Sequence, residues 1–132
     1  MDFSLKLITV ADHEAQAGAP GVLALANDAE VAEVSLDGVT RIDLHFPNFA
    51  DGRAFSQAFM LRRRRGYTGE IRATGDVLID QLVQMQRTGF TSAVLRADQD
   101  LAHAARQFER YARYYQGDAV TVQPRFKETV SA

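Results

Sequence analysis

Short apolar runs alternate with helical stripes along this chain. Gly21-Val22-Leu23-Ala24-Leu25-Ala26 is an apolar run that stops at Asn27-Asp28. It predicts a first strand over 21–26, buried on both faces and followed by a polar loop. Apolar residues at 29, 31, 32, 34 and 36 fit a short helix that Gly38 closes. Residues 41–46 alternate polar and apolar until Pro47, so a strand is expected with Ile42, Leu44 and Phe46 facing inward. Over 54–65 a helical wheel gathers Ala54, Phe55, Ala58, Phe59 and Leu61 on one arc and leaves Ser56, Gln57, Met60, Arg63 and Arg64 outside it.

The same alternation continues toward the C-terminus. Residues 69–74 supply a third short strand, and Gly75-Asp76 opens a helix with Leu78, Ile79, Leu82, Val83 and Met85 on one side and Gly89 as its left-handed cap. A fourth strand covers 90–96. Leu101, Ala104, Ala105, Phe108, Tyr111, Ala112 and Tyr115 then form a stripe that predicts a helix over 101–115, with Asp98 or Asp100 as its cap. Residues 5–10 suit an edge strand, 15–20 a loop, 119–122 a further strand and 121–132 a frayed tail.

Strands separated by helices require long crossovers, which join parallel neighbours. The expected class is therefore α/β: a mainly parallel sheet of about four strands, either an open sheet or a unit resembling half of a (βα)8 barrel. Spatial strand order separates the two. A length of 132 residues allows one domain, 1–132, with a core over 22–117 and peripheral ends at 1–20 and 118–132.

Composition narrows the chemistry. The chain is 46% hydrophobic and 24% charged, with a formal net charge of -2, so it lacks the global positive field that gathers nucleic acid or anionic lipid. Having no cysteine, it offers no disulfide, thiolate zinc site or cysteine-ligated cluster. No run approaches the ~20 apolar residues of a membrane span, and Met1-Asp2-Phe3 is not the basic start of an export signal. A cytoplasmic protein is expected. His13, in an irregular start, His45, on the second strand, and His103, on the last helix, make no metal triad, and neither a metal nor a cofactor is assigned.

Ligands in parallel α/β proteins gather at the carboxyl ends of strands, where loops and helix N-termini converge. That rule nominates Asn27 and Asp28, the loop 48–53, the turn Gly75-Asp76, and Arg96 with Asp98. Asp51 suits an N-cap or a catalytic carboxylate. Arg53 opposes the dipole of the helix it begins, so it needs an acidic neighbour or an anionic ligand. Arg62 falls inside the apolar arc, where a guanidinium must snorkel or pair; Asp76, Asp80 and Asp51 are available carboxylates. Asp76 and Asp80 lie one turn apart on the predicted helix, an ion network or a pair for acid-base work. Arg41, Asp43 and His45 form a buried polar row if a helix covers their face, and are solvated if none does. There is no Gly-x-Ser-x-Gly, Gly-x-Gly-x-x-Gly or Walker motif.

Three blocks carry a family resemblance. They are Phe46-Pro-Asn-Phe-Ala-Asp-Gly-Arg-Ala-Phe-Ser-Gln-Ala-Phe-Met-Leu-Arg62, then Arg65-Gly-Tyr-Thr-Gly-Glu-Ile-Arg-Ala-Thr-Gly-Asp-Val-Leu-Ile-Asp-Gln-Leu82, and Arg87-Thr-Gly-Phe90. In that order and spacing, over roughly 22–96, the chain resembles the bacterial family of unknown function numbered 934. Its members are described as probable oxidoreductase-like proteins of sulfite reduction, because their genes lie beside that of the haem-protein sulfite reductase. The resemblance implies functional positions at Asp51, Gly52, Arg53 and Ser56, at Arg62, at Arg72, Gly75, Asp76, Asp80 and Gln81, and at Arg87 and Gly89. Arg53, Arg62 and Arg72 would suit a small oxyanion such as sulfite or sulfate, or an anionic face of a partner. The leading expectation is an accessory protein of assimilatory sulfite reduction that binds an oxyanion or the reductase. The rivals are a small enzyme acting on an anionic metabolite and a homo-oligomeric scaffold. Asp51, Arg53, Arg72 and Asp76 are expected on one rim.

Overall fold

The computed structural model describes residues 5–48, 50–96, 98, 100, 102–106 and 110. Strands β1 (Lys6–Ile8), β2 (Val22–Leu25), β3 (Arg41–Phe46), β4 (Glu70–Gly75) and β5 (Ser92–Val94) form one sheet in the order β1-β5-β4-β3-β2. Every pairing is parallel. The four expected strands are all present, and the edge strand near the N-terminus makes a fifth.

Connections explain the layers. From β2 the chain steps through β3 and β4 to β5 in one direction, with helices α2 (Arg53–Arg63) and α3 (Leu82–Thr88) between strands; a 3-10 turn, Ile79–Gln81, leads into α3. The step from β1 to β2 runs the opposite way across the whole sheet and contains helix α1 (Val10–Ala15). Right-handed crossovers that reverse direction put their helices on opposite faces. That is where they lie: Ala54, Ala58, Leu61, Leu82, Val83 and Met85 pack with Ile42, Leu44, Phe46, Ile71 and Ala73 in the core, while α1 covers the other face through His13 and Gln16. The sheet is therefore open and doubly wound, and the half-barrel alternative falls away.

The apolar face is close-packed. Ile42, Leu44, Leu61, Ile71 and Leu82 have no exposed surface, and Phe46 meets Phe55 edge-on at 5.1 Å between ring centres. Gly89 ends α3 at φ +118°, a left-handed conformation. A Cβ there would stand 2.6 Å from Cγ of Arg62, so glycine is needed for conformation and for space.

Several local expectations are corrected. The first strand is not buried on both faces: β2 is the sheet edge, and its residues are half-buried or exposed. Residues 28–36 form turns rather than a helix. Buried Val31 anchors them, Gln57 donates to the carbonyls of Ala26 and Ala29, and Arg65 donates to that of Val31. Phe59 is half exposed and Gln57 buried, the reverse of the wheel, because Gln57 is needed to hold this segment. His13 sits in α1, capped by Thr9, whose hydroxyl accepts from the N–H of Asp12. Residues 102–106 are helical, and Ala104 is buried in the core. The rest of the 101–115 stripe apart from residue 110, with the 119–122 strand and the tail, lies outside the described residues.

Candidate functional site

The carboxyl edge of the sheet carries two groups of charge. In the first, β3 ends at Phe46 and α2 begins at Arg53 after Gly52, which caps the helix without a side chain. Asp51 accepts the backbone N–H of Arg53 at 3.0 Å, so it turns the chain into the helix. The same carboxylate takes the Arg53 guanidinium at 2.9 and 3.2 Å and the Asn27 amide at 2.6 Å. The hydrogen bond from Arg53 holds the Asp51 carboxyl below its ordinary pKa. In the second group, Arg96 after β5 donates to Asp76 at 2.6 Å and to Asp98 at 2.6 and 3.0 Å. Phe46 and Gly75 are register partners, so both groups belong to the same edge.

Gly75 serves this edge by a close approach. It has φ +93°, and a Cβ would collide with the Phe46 carbonyl and the His45 ring. The N–H of Asp76 donates to that carbonyl at 2.8 Å. Gly75 thus brings backbone to backbone.

Other expected site residues separate from this rim. Arg72 lies mid-strand, only 4% exposed, with its side chain under α1. Among the described residues Arg62 meets no carboxylate: it donates to the carbonyls of Gly89 at 3.0 Å, Tyr67 at 2.8 Å and Gly69 at 2.8 Å. It ties together the backbone that precedes β4 and β5, at the amino edge. Asp80 is exposed in the 3-10 turn and Asp76 precedes that turn, so the one-turn spacing of a shared helix is not realised. Ser56 is exposed on α2, in an apolar groove of about 350 Å³ with Phe55, Phe59, Met60, Arg64 and Thr88.

The face under α1 holds a second constellation. Arg41 grips Asp43 with two hydrogen bonds, at 2.8 and 3.0 Å. Arg72 grips Glu70 at 2.8 and 3.1 Å and reaches Gln16 at 2.8 Å and Nδ1 of His13 at 2.9 Å. Ser92 donates to Glu70 at 2.6 Å. Register places Arg41 opposite Glu70 and Asp43 opposite Arg72, so opposite charges alternate both along and across the strands. Arg41, Asp43, Arg72 and Ser92 are all more than nine-tenths buried.

Burial would raise the Glu70 carboxyl, but the bonds from Ser92 and Arg72 outweigh it and hold it below its ordinary pKa. Burial lowers the His13 pKa despite the pull of Asp43, and so favours the neutral imidazole. The buried polar row foreseen for Arg41 and Asp43 is therefore real, while His45 is exposed and faces Thr74 at 3.4 Å. Nothing in the sequence singled out Glu70, Ser92, His13 or Gln16 for this role. A signal for part of the network was present in the triplets Arg41-Ile-Asp43 and Glu70-Ile-Arg72, which set opposite charges in opposite order on two strands.

Fold and charge together define a small parallel α/β protein, doubly wound, with paired ions at the carboxyl edge and a buried ionic lattice on one face. The family model described as bacterial protein of unknown function (DUF934) matches residues 22–126, and the chain belongs to that family. Comparison with curated proteins and with solved structures gave no match. No helix among the described residues is long and apolar enough to cross a membrane.

Proposed function

We propose that this protein is a cytoplasmic accessory component of assimilatory sulfite reduction that works by docking on the sulfite reductase through its carboxyl edge. The pathway half of this reading rests on the gene neighbourhood that the family resemblance implies. The docking half rests on one observation: the rim arginines are already held by carboxylates, Arg53 by Asp51 and Arg96 by Asp76 and Asp98. A rim of alternating sign is poorly suited to concentrating a small anion. It is well suited to reading a charge pattern on a protein, where such pairs give specificity and on-rate.

The test is capture of the reductase by the tagged protein at low and high salt. Capture should weaken with salt, because exposed charges are screened over ~8 Å at physiological ionic strength. Arg53→Glu and Arg96→Glu should each reduce it, and capture indifferent to both variants removes the reading. A second reading, direct binding of sulfite or sulfate, is favoured by Arg53 itself, which is 65% exposed and bonds Asp51 through Nε and Nη2, leaving Nη1. Calorimetric titration of both anions into the protein, Arg53→Ala and Arg63→Ala decides it. Loss with the first variant alone supports an anion site; equal losses mean a diffuse field.

A further inference from the structure

At the amino ends of the strands, on the face that carries the ionic lattice, a cleft of about 570 Å³ is lined by Lys6, Gln16, Arg41, Glu70, Arg72 and Ser92, among others. Register explains how distant parts of the chain arrive there. Lys6 is the partner of Ser92, Ser92 of Arg72 and Arg72 of Asp43, which is one row across four strands. Arg41 and Glu70 pair in the next row toward the amino edge. With neighbouring strands ~4.8 Å apart, such rows bring side chains of one face within reach of a common small molecule.

The lining has an unbalanced charge. Lys6, Arg41 and Arg72 bring three cations to the cleft, and the carboxylates paired to them are Glu70 and Asp43. Lys6 is exposed and has no ion-pair partner among the described residues. Arg41 commits one N–H at each nitrogen, to Asp43 and Gln16, so two of a guanidinium's five donors remain.

Burying such a lattice is costly. Replacing a buried ion pair by apolar residues of similar volume is often neutral or stabilising, so the lattice is weak evidence for stability. The opposite face of the same strands is filled by Ile42, Leu44, Ile71 and Ala73, so an apolar solution was open to this sheet. A fixed guanidinium fork beside an exposed ammonium is the equipment for recognising an oxyanion group. The volume falls within the range of small-molecule sites and exceeds what a bare inorganic anion would fill.

We infer that this amino-edge cleft binds a small organic anion, its carboxylate or phosphate group held by Arg41 and Lys6 and its hydroxyl groups by Glu70. This site is separate from the carboxyl-edge rim and does not depend on the sulfite-reduction reading. It recognises charge by side chains rather than by helix N-termini.

The test is an amide NMR titration of the whole protein with malate, glycerol 3-phosphate and inorganic phosphate. At least one organic probe should bind saturably and more tightly than inorganic phosphate, with shifts concentrated at Lys6, Arg41, Glu70 and Ser92. Lys6→Ala should weaken that probe about tenfold, the worth of one charge-assisted hydrogen bond, without changing the unfolding midpoint, because Lys6 lies outside the buried lattice. Arg41→Lys, which keeps the charge and loses the fork, should also weaken it. Shifts centred on Asp51, Arg53 and Asp76, unchanged affinity in Lys6→Ala, or no saturable binding of any probe would overturn the inference; the last result would leave the lattice as a device for strand register.

Discussion

The two faces of the sheet are made by the same strands and are buried to a similar depth, yet by opposite means. Under α2 and α3 the side chains are Ile42, Leu44, Phe46, Ile71 and Ala73, and their packing is non-directional. Under α1 they are Arg41, Asp43, Arg72 and Ser92, and each is held by directional hydrogen bonds to its neighbours. The apolar face gains by removing surface from water, at roughly 25 cal/mol per Å². The ionic face must first offset desolvation, and its net contribution is small even when its geometry is good. Truncating an apolar side chain forfeits its transfer free energy and opens a cavity. Removing one ionic partner leaves a buried charge with nothing opposite it.

The sharpest way to break this contrast is Arg72→Ala. It leaves Glu70 without its guanidinium partner, His13 without its contact to Arg72 and Gln16 with Arg41 alone, so a loss of about 3 to 5 kcal/mol in denaturant unfolding is expected. A loss near zero would mean that the lattice is hydrated and relaxed. On the other face, Leu44→Ala should cost about 2 to 5 kcal/mol by transfer and cavity terms. The comparison is sharpened by replacing Arg41, Asp43, Glu70 and Arg72 together with apolar residues of similar size. The outcome expected is unfolding stability equal to the parent or higher, because both charges of each pair leave at once.

Acid should separate the faces as well. His13 and Glu70 both have folded pKa values below their unfolded ones, so the folded state resists protonation at each. Their contributions are fully present above the unfolded values and are lost as pH falls, first through the imidazole range and then through the carboxylate range. Thermal unfolding followed from pH 8 to about pH 2 should fall in those two steps. Arg72→Met should blunt the second step, whereas Leu44→Ala should shift the whole curve without changing its shape. Gly89→Ala, at the end of α3, should cost about 1 to 2 kcal/mol through its positive φ and the crowding of Arg62. The smallest effect is reserved for Phe59→Ala: its ring is half exposed, so the unfolding midpoint should hardly move.

Much of the fold is legible in the sequence because its signals are local. The alternation of Ile42, Leu44 and Phe46, the stripe of Leu82, Val83 and Met85, and Gly89 as a cap each follow from the period or dihedral needs of one element. Residues 28–36 mislead because their apolar spacing fits a helix, while the donors that fix them as turns belong to Gln57 and Arg65, some thirty residues on. The wheel misplaces Gln57 and Phe59 for the same reason. At the candidate site, Asp51 with Arg53 and Asp76 with Arg96 come from strand-end residues and are foreseeable. Arg72 is assigned to the wrong region because its neighbours in sequence do not reveal which helix lies over it.

By itself, then, the sequence determined that this is a parallel α/β protein, where its central strands and two of its helices run, and which residues stand at the strand ends, because period, capping and turn chemistry act over a few residues. Only the tertiary structure decided that β1 joins the far edge beside β5, that α1 therefore crosses the face opposite α2, and that Arg41, Asp43, Glu70 and Arg72 interlock beneath it. Those outcomes depend on register and crossover direction between segments far apart in the chain. Whether a charged residue on a strand meets solvent, a partner or a ligand is decided by what the rest of the chain lays over it.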